Sequence, residues 1–251
     1  MHLTDEEQDR YARHIAMPSI DEAGQLKLKA ASVLIVGIGG LGSPASFYLA
    51  AAGVGKIGLL DHDIVELSNL QRQIIHSTND LNKPKVHSAK QKLSELNPNV
   101  HIEAYDRRLT ADNASEIFRG YDFVVDGSDN FPTKFLIAET CHLLKIAYSH
   151  AGIDEFIGQT LTVIPGETAC CRCIFDLLPE PDEVKRGPIG FLPGVIGTIQ
   201  AGEAIKYILG QGKLLTDRLL VFDAQNSMLR TIPVRRNQKC LLCGSSTQDE
   251  C

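Results

Sequence analysis

The sequence predicts an α/β protein with a mostly parallel sheet, helices on both faces of that sheet, and antiparallel strands that continue it. Two observations lead to this fold class. Short apolar runs alternate with helix-like segments over residues 32–150, which is typical of βαβ units around a buried parallel sheet. Beyond residue 151, the longer stretches 158–165 and 219–234 indicate antiparallel strands.

The first parallel unit occupies residues 32–63. An apolar run, 33–36, precedes the turn Gly37-Ile38-Gly39-Gly40-Leu41-Gly42, a helix-like stretch and a second apolar run that ends at Asp61. Glycines allow a tight turn that brings backbone N–H groups to an anion at a helix N-terminus. A carboxylate at the end of the second strand can accept hydrogen bonds from ribose hydroxyls. The unit therefore predicts a Rossmann-like nucleotide site that fits NAD as well as ATP.

The elements that follow continue the alternation. Residues 64–73 have neither a strand nor a helix pattern and are predicted to form a ligand-facing loop. Helices are predicted from Lys83 to 96 and at 111–119, 131–144 and 195–209, and strands at 100–105, 121–126 and 146–149. Ligands bind outside the carboxyl ends of parallel strands. We therefore expect one acidic, glycine-lined crevice formed at strand ends by Asp61, Asp63, Asp126 and Asp129.

Three parts are expected along the chain. Residues 1–31 form an N-terminal helical arm, residues 32–150 the nucleotide-binding Rossmann-like half, and residues 151–251 an antiparallel half of the same single domain. A chain of 251 residues is long enough to bury about 70–75% of its unfolded surface in one main core.

Composition limits the partners and the compartment. The net charge is −6, which gives no electrostatic reason to bind nucleic acid or an acidic membrane. No apolar run approaches the about 20 residues that span a bilayer, and the acidic N-terminus is unlike a signal peptide. We expect a cytoplasmic protein with neither nucleic acid nor a membrane as partner.

Four of the seven cysteines form two C-x-x-C pairs, Cys170 with Cys173 and Cys240 with Cys243. Each pair can present two thiolates to one side of a tetrahedron, so the quartet predicts a structural Zn²⁺ site in the C-terminal part. A redox C-x-x-C is the competing interpretation, but neither pair opens a helix in a thioredoxin-like setting.

Cations lie in or near the segments that lead to the crevice: Arg13, Arg72, Lys83 and Lys85. A triphosphate brings about four negative charges that an enzyme must neutralise, whereas a dehydrogenase needs little positive charge beyond its glycine turn. The cations therefore favour ATP over NAD.

Six features occur in order along the chain: the glycine turn, Asp61-x-Asp63, the run 68–73 (S-N-L-Q-R-Q), Lys83-Pro84-Lys85, the run 126–130 (D-G-S-D-N), and the cysteine quartet. Together they resemble the bacterial ThiF/MoeB/HesA group, relatives of ubiquitin-activating E1 enzymes. The resemblance covers nearly the whole chain.

The resemblance implies adenylation of the C-terminal glycine of a small ubiquitin-like sulfur carrier ending in Gly-Gly, with ATP and Mg²⁺, in thiamine or molybdopterin biosynthesis. It implies a homodimer in which Arg13 reaches the second subunit's site. The implied nucleotide-binding residues are Gly37, Gly39, Gly40, Gly42, Asp61, Asp63, Asn69, Arg72, Gln73, Lys85, Asp129 and Asn130. Catalytic roles are implied for Arg13, Arg72, Lys85 and Asp129.

One feature departs from that group. Many members carry a cysteine in the loop between the first cysteine pair and the following helix, but residues 175–193 contain none, and Glu183 stands near that place. We therefore expect an enzyme that stops at the acyl-adenylate and passes it to a separate sulfur donor. The thiols outside the quartet are Cys141, Cys171 and Cys251.

Two other functions remain open at this stage. An NAD-dependent oxidoreductase would use the glycine turn and Asp61, but it leaves the quartet and the cations without a role. A non-catalytic, nucleotide-dependent interaction module is conceivable because the loop cysteine is missing. The sequence does not distinguish which carrier or pathway is served.

Overall fold

The computed structural model describes residues 2–175 and 187–244. The strands are β1 Ser32–Val36, β2 Lys56–Asp61, β3 His101–Asp106, β4 Phe123–Asp126, β5 Ala147–Asp154, β6 Ile157–Val163, β7 Arg218–Asp223 and β8 Met228–Pro233. The α-helices are α1 Asp5–Arg10, α2 Ala12–Ile15, α3 Asp21–Ala30, α4 Gly42–Ala51, α5 Lys85–Leu96, α6 Ala111–Phe118, α7 Phe131–Leu144 and α8 Phe191–Leu209. Short 3-10 turns occur at Leu67–Asn69, Thr78–Asp80 and Cys171–Cys173.

One sheet contains all eight of these strands, in the order β3-β2-β1-β4-β5-β6-β7-β8. The first five strands in that order pair in parallel, and β6, β7 and β8 extend the sheet by antiparallel pairing. The predicted fold class is confirmed. The order reverses between β1 and β4, and open α/β sheets bind ligands at such a switch point.

The central strands β1 and β4 of the sheet are buried on both faces. Alternate residues of β1 belong to different cores: Val33 and Ile35 pack in the cluster that contains α4, α5 and the second half of α8, whereas Leu34 and Val36 pack with α6, α7 and the cysteine quartet. This alternation follows from the two-residue period of a strand. Among the described residues, no helix combines the length and apolarity that crossing a bilayer requires.

Several element boundaries differ from the prediction. Residues 219–234 form two strands joined by a turn, β7 and β8, rather than one long strand. Helix α8 begins at Phe191 instead of Val195 because Pro193 lies in its first turn, where a missing N–H costs no helical hydrogen bond. Helix α5 begins at Lys85, after Pro84 as N-cap.

The N-terminal helices pack against the amino edge of the sheet. Thr4 forms a capping box with Glu7 at the start of α1. Tyr11 is 4% exposed, and its hydroxyl accepts a hydrogen bond of 2.8 Å from Asn97 Nδ2. A Cβ at Gly53 would lie 2.5 Å from the Tyr11 ring, so only glycine leaves room for it. Tyr11 is therefore a packing residue that holds the N-terminal helices to α4 and α5.

A buried ion pair connects β4, α7 and β5. Lys134 Nζ lies 3.3 Å from Asp126 Oδ2 and donates to the Ala151 carbonyl at 2.6 Å. His150 Nδ1 lies 3.1 Å from the same carboxylate. Burial raises the pKa of Asp126, but Lys134, His150 and Ser128 lower it by more than burial raises it, so the net pKa is about 2. The carboxylate is therefore ionised and compensated inside the protein.

We predict that Lys134→Met lowers the free energy of unfolding by about 3–5 kcal/mol, because it leaves the Asp126 charge buried and unpaired. Urea denaturation measures this change. Lys56→Met is the matched control: its ion pair with Glu103, at 2.7 Å, is partly exposed and is expected to contribute about 1 kcal/mol or less. Equal losses for the two variants would contradict the assigned importance of the buried pair.

Candidate functional site

The loops after β1 and β4 touch at the switch point. Gly37 has φ +90°, and a Cβ there would lie 2.6 Å from the Gly127 carbonyl oxygen. A Cβ at Gly42 would lie 2.0 Å from the carbonyl oxygen of Gly37. The Gly127 N–H donates to Val36 O at 2.8 Å. Glycine is therefore required by close backbone approach at this point.

The glycine turn leaves hydrogen-bond donors free. The backbone N–H groups of Gly39, Gly40 and Leu41 have no acceptor among the described residues. These three residues immediately precede α4, so the positive end of the helix dipole adds to the donors. This combination suits an anion such as a phosphate.

Asp61 closes β2 beside the turn. Its Oδ2 accepts the Ile38 N–H at 2.7 Å, and its Oδ1 accepts the Asp63 N–H at 2.9 Å. It is thus Asp61, rather than Asp63, that binds neighbouring backbone N–H groups. Each carboxylate oxygen keeps a further lone pair for a ligand.

Lys85 and Asp63 form the charged wall next to Asp61. Lys85 is 5% exposed, and its Nζ lies 2.8 Å from Asp63 Oδ2. Partial burial raises the pKa of Asp63, but the hydrogen bond and charge of Lys85 outweigh it and lower the pKa below its usual value. The Lys85 N–H donates to Asp63 O at 2.9 Å, which fixes the start of α5 at the crevice.

The segment 67–73 covers the glycine turn. Arg72 Cγ would lie 3.5 Å from a Cβ placed at Gly40, and Gln73 Nε2 would lie 3.5 Å from one at Gly39. Gln73 is 5% exposed, and its Oε1 has no partner among the described residues. Asn69 caps the 3-10 turn, since its Oδ1 accepts the Glu66 N–H at 3.1 Å. A buried amide oxygen without a partner fits a ligand group that donates a hydrogen bond, whereas the free N–H groups beside it suit an anion.

The β4–α7 loop supplies two exposed polar side chains, Asp129 and Asn130. Asn130 Oδ1 accepts the Thr133 N–H at 2.9 Å and caps α7, while its Nδ2 donates to Asp129 Oδ1 at 3.2 Å. Asp126, in contrast, is 0% exposed. The prediction that Asp126 lines the crevice is wrong, because its carboxylate is buried and pairs with Lys134 and His150.

Arg13 is exposed and lies far from its own chain's crevice. It is two residues from Tyr11, which contacts Gly53 and Asn97. Both of those residues follow the C-terminal ends of helices that begin at the crevice, so they lie at the opposite edge of the sheet. Within one chain, the structure does not bring Arg13 to the other site residues.

The four cysteines of the two C-x-x-C pairs converge. Their sulfur atoms all lie within 4.8 Å of one another, with Cys170 to Cys240 at 3.5 Å and Cys173 to Cys243 at 3.3 Å. Sulfur atoms around a tetrahedral Zn²⁺ with bonds of about 2.3 Å are separated by about 3.8 Å. Burial and the neighbouring Cys173 raise the pKa of Cys243 to about 11, so the cluster gains from a cation that stabilises thiolates.

Sequence reasoning missed two features of this site. The start of α8 lies against the glycine turn and the segment 67–73: a Cβ at Gly190 would be 2.2 Å from the Gln71 carbonyl oxygen, and one at Gly40 would be 3.0 Å from Pro193. The burial of Lys134 was also missed. A lysine next to Phe135 in an apolar helix was the available signal for Lys134, whereas nothing local in the sequence points to the α8 contact.

Comparisons with known proteins agree with this geometry. The ThiF family model matches residues 11–242. The chain is 45% identical over 260 residues to a sulfur carrier protein adenylyltransferase of Thermus thermophilus, covering 100% of this chain and 96% of the relative. It is 44% identical over 245 residues to the SAMP-activating enzyme E1 of Haloferax volcanii, covering 96% and 90%.

A solved structure gives the same fold. The crystal structure of E. coli MccB with MccA superposes with a TM-score of 0.84 at 24% identity, over 96% of this chain and 75% of that one. The family match spans all eight strands of the sheet, the glycine turn and three of the four quartet cysteines, Cys170, Cys173 and Cys240. The chain with this glycine-lined crevice therefore belongs to the ThiF family.

Proposed function

We propose that this protein is an adenylyltransferase that activates the C-terminal glycine of a small ubiquitin-like sulfur carrier ending in Gly-Gly, using ATP and releasing pyrophosphate. The observation that carries the proposal is the set of N–H groups at Gly39, Gly40 and Leu41 that have no acceptor in the described part of the chain, with Arg72 above them. The relatives named as sulfur carrier and SAMP-activating enzymes support the same reaction.

The phosphates are assigned to the glycine turn and its cations. Gly37, Gly39, Gly40 and Gly42 shape the turn, and Arg72, Lys85, Asn69 and Gln73 surround it. The ammonium group of Lys85 has three donors, of which one contacts Asp63, so the other two are available for phosphate oxygens. Arg72 offers a planar fork that suits phosphate oxygens.

Asp61 is assigned to the ribose, and Asp129 with its neighbour Asn130 to Mg²⁺. Carboxylate oxygens are the ligands that Mg²⁺ prefers, and it commonly keeps several waters besides substrate phosphates. Asp129 fits this role because it is exposed and has no cationic partner among the described residues. Bound Mg²⁺ would offset charge on the phosphates.

The chemistry requires no general base. A C-terminal carboxylate has a pKa of about 3.5 and is ionised at neutral pH, so it attacks the α-phosphorus as it stands. The barrier is repulsion between anions, and the site lowers it by positioning donors where charge develops on departing pyrophosphate.

We assign sulfur delivery to a separate donor. Cys141 and Cys171 are both 0% exposed, so neither thiol is available to the carrier's tail. Glu183 and Cys251 lie outside the described residues. The acyl-adenylate is then the end product of this chain, and it serves thiamine or molybdopterin biosynthesis.

The cysteine quartet is assigned a structural Zn²⁺ ion. Four cysteine ligands form a closed tetrahedron with no position for water. The ion would join the segment after β6 to the chain beyond β8, since Cys173 and Cys243 are 70 residues apart.

A homodimer would complete the site. Arg13 lies away from its own crevice, and the segment between β2 and α5 exposes the large apolar side chains Ile64, Leu67 and Ile74, at 46%, 70% and 61%. Surface of this kind is typical of an interface. In the dimer, Arg13 of each chain would approach the crevice of the other.

We predict that Arg72→Ala and Lys85→Ala each reduce carrier-dependent ATP–pyrophosphate exchange more than about tenfold, because each removes a cation from the phosphates. Lys83→Ala is the control: that side chain is 51% exposed and pairs with Asp80, so exchange is expected to change less than about threefold. Unchanged exchange in the first two variants would remove them from the site. Tight NADH binding without ATP binding would favour an oxidoreductase, and nucleotide binding without turnover an interaction module.

Elemental analysis of the purified protein is expected to find about one zinc per chain. Cys173→Ser should lose the metal and lower the melting temperature. Cys171→Ala tests specificity, because this buried thiol adjoins the quartet without belonging to it and the variant should keep its zinc. A metal-free protein that is fully folded would refute the zinc assignment.

Mixing inactive variants tests the action of Arg13 across the dimer. Arg13→Ala and Asp129→Ala, each inactive alone, should regain about a quarter of wild-type exchange when equal amounts are co-refolded, since half of the dimers then hold one intact site. The absence of any recovery would mean that Arg13 acts within its own chain, and full activity of Arg13→Ala by itself would mean that Arg13 has no role.

A further inference from the structure

His76 is a buried imidazole behind the glycine turn. It is 6% exposed, its Nε2 lies 3.0 Å from the Ile38 carbonyl oxygen, and its Nδ1 lies 3.0 Å from Ser88 Oγ. A carbonyl oxygen only accepts, so Nε2 carries a proton and donates it. Both ring nitrogens are thus engaged by the protein itself.

The orientation of this ring is fixed from α5. Lys92 Nζ donates to Ser88 Oγ at 3.0 Å, which leaves the Ser88 hydroxyl proton for His76 Nδ1. Burial, and then the charges of Lys92 and Lys85, lower the pKa of His76, so the ring is neutral and Nδ1 accepts. Ser88 therefore selects the tautomer that donates to Ile38.

The Ile38 carbonyl controls the direction of the next N–H group. A trans peptide is planar and places its C=O and N–H on opposite sides. When His76 holds the Ile38 oxygen on the buried side, the Gly39 N–H faces the other way. On the preceding peptide, Asp61 Oδ2 holds the Ile38 N–H at 2.7 Å, so Ile38 is bound at both of its backbone polar groups.

We propose that His76 is a positioning residue for the nucleotide's phosphates: its hydrogen bond to Ile38 O fixes the Ile38–Gly39 peptide so that the Gly39 N–H donates to a phosphate oxygen. The inference rests on the proposed function, since it assigns ATP phosphates to the glycine turn. His76 itself touches no substrate.

The test compares ATP·Mg²⁺ with adenosine, which lacks phosphates. In the full-length protein, His76→Phe is expected to weaken ATP binding at least tenfold by calorimetry and to change adenosine binding, measured by displacement, less than twofold. His76→Gln keeps an N–H at the place of Nε2 and should hold the ATP affinity within threefold of wild type. A ring that served only for packing would not distinguish these two variants or these two ligands.

Two further variants keep the test decisive. Ser88→Ala leaves the imidazole in place but frees its orientation, and it should weaken ATP two- to fivefold with adenosine unchanged, even if His76→Phe does not fold. His142→Phe is the matched control, because both ring nitrogens of His142 are buried without partners among the described residues, and it should change neither affinity.

The outcomes separate the two proposals. Suppose that the wild-type protein binds ATP. If His76→Phe then loses the same affinity for ATP as for adenosine, or loses neither, the role of His76 is overturned but the proposed function is not. If His76→Phe does not fold, unchanged ATP affinity in Ser88→Ala overturns it. Wild-type protein that binds no ATP would overturn the proposed function, and the positioning role with it.

Discussion

The candidate site at the carboxyl edge of the sheet is built around three backbone N–H groups that have no acceptor within residues 2–175 and 187–244. Unpaired donors are costly in a folded protein unless water or a ligand satisfies them, and Gly39, Gly40 and Leu41 leave three together. They persist because the surrounding chain is fixed: Gly37 and Gly127 touch backbone to backbone, and Asp61 and His76 hold Ile38 from two sides. The turn is therefore preorganised: these contacts fix its conformation in the absence of a ligand.

Local pattern was enough to predict the elements that build this turn. The apolar run of β1, the glycines and the helix of α4 follow one another within about twenty residues, and each is set by its own residues: apolar side chains for a buried strand, and glycine where a Cβ would collide. The cysteine pairs are also a local signal, because the two cysteines of a C-x-x-C sequence are close enough along the chain to bind the same metal ion. The fold class and most of the crevice followed from such short-range signals.

The features that the sequence did not reveal depend on contacts between distant segments. The Gly190 contact with Gln71 joins residues more than a hundred positions apart, and Lys134 is buried only because β4 and β5 enclose it. The boundary between β7 and β8 was missed for a different, local reason. An antiparallel pair shows the same alternation on both sides of its turn, so alternation alone does not mark where the chain reverses.

The four aspartates at strand ends illustrate how tertiary structure separates residues that the sequence treats alike. Asp126 is buried and balanced by Lys134, Asp63 is balanced by Lys85, and Asp61 is committed to two backbone N–H groups. Asp63 and Asp129 are both exposed, but of the four aspartates only Asp129 contacts no cation or backbone N–H in the described part of the chain. A divalent cation binds most favourably to a carboxylate that is not already paired with a lysine, because no existing ion pair has to be broken. The distribution of charge at the carboxyl edge of the sheet therefore favours Asp129 as the ligand of the cation. Lys85 and Arg72 are then available to bind the phosphates that such a cation would accompany.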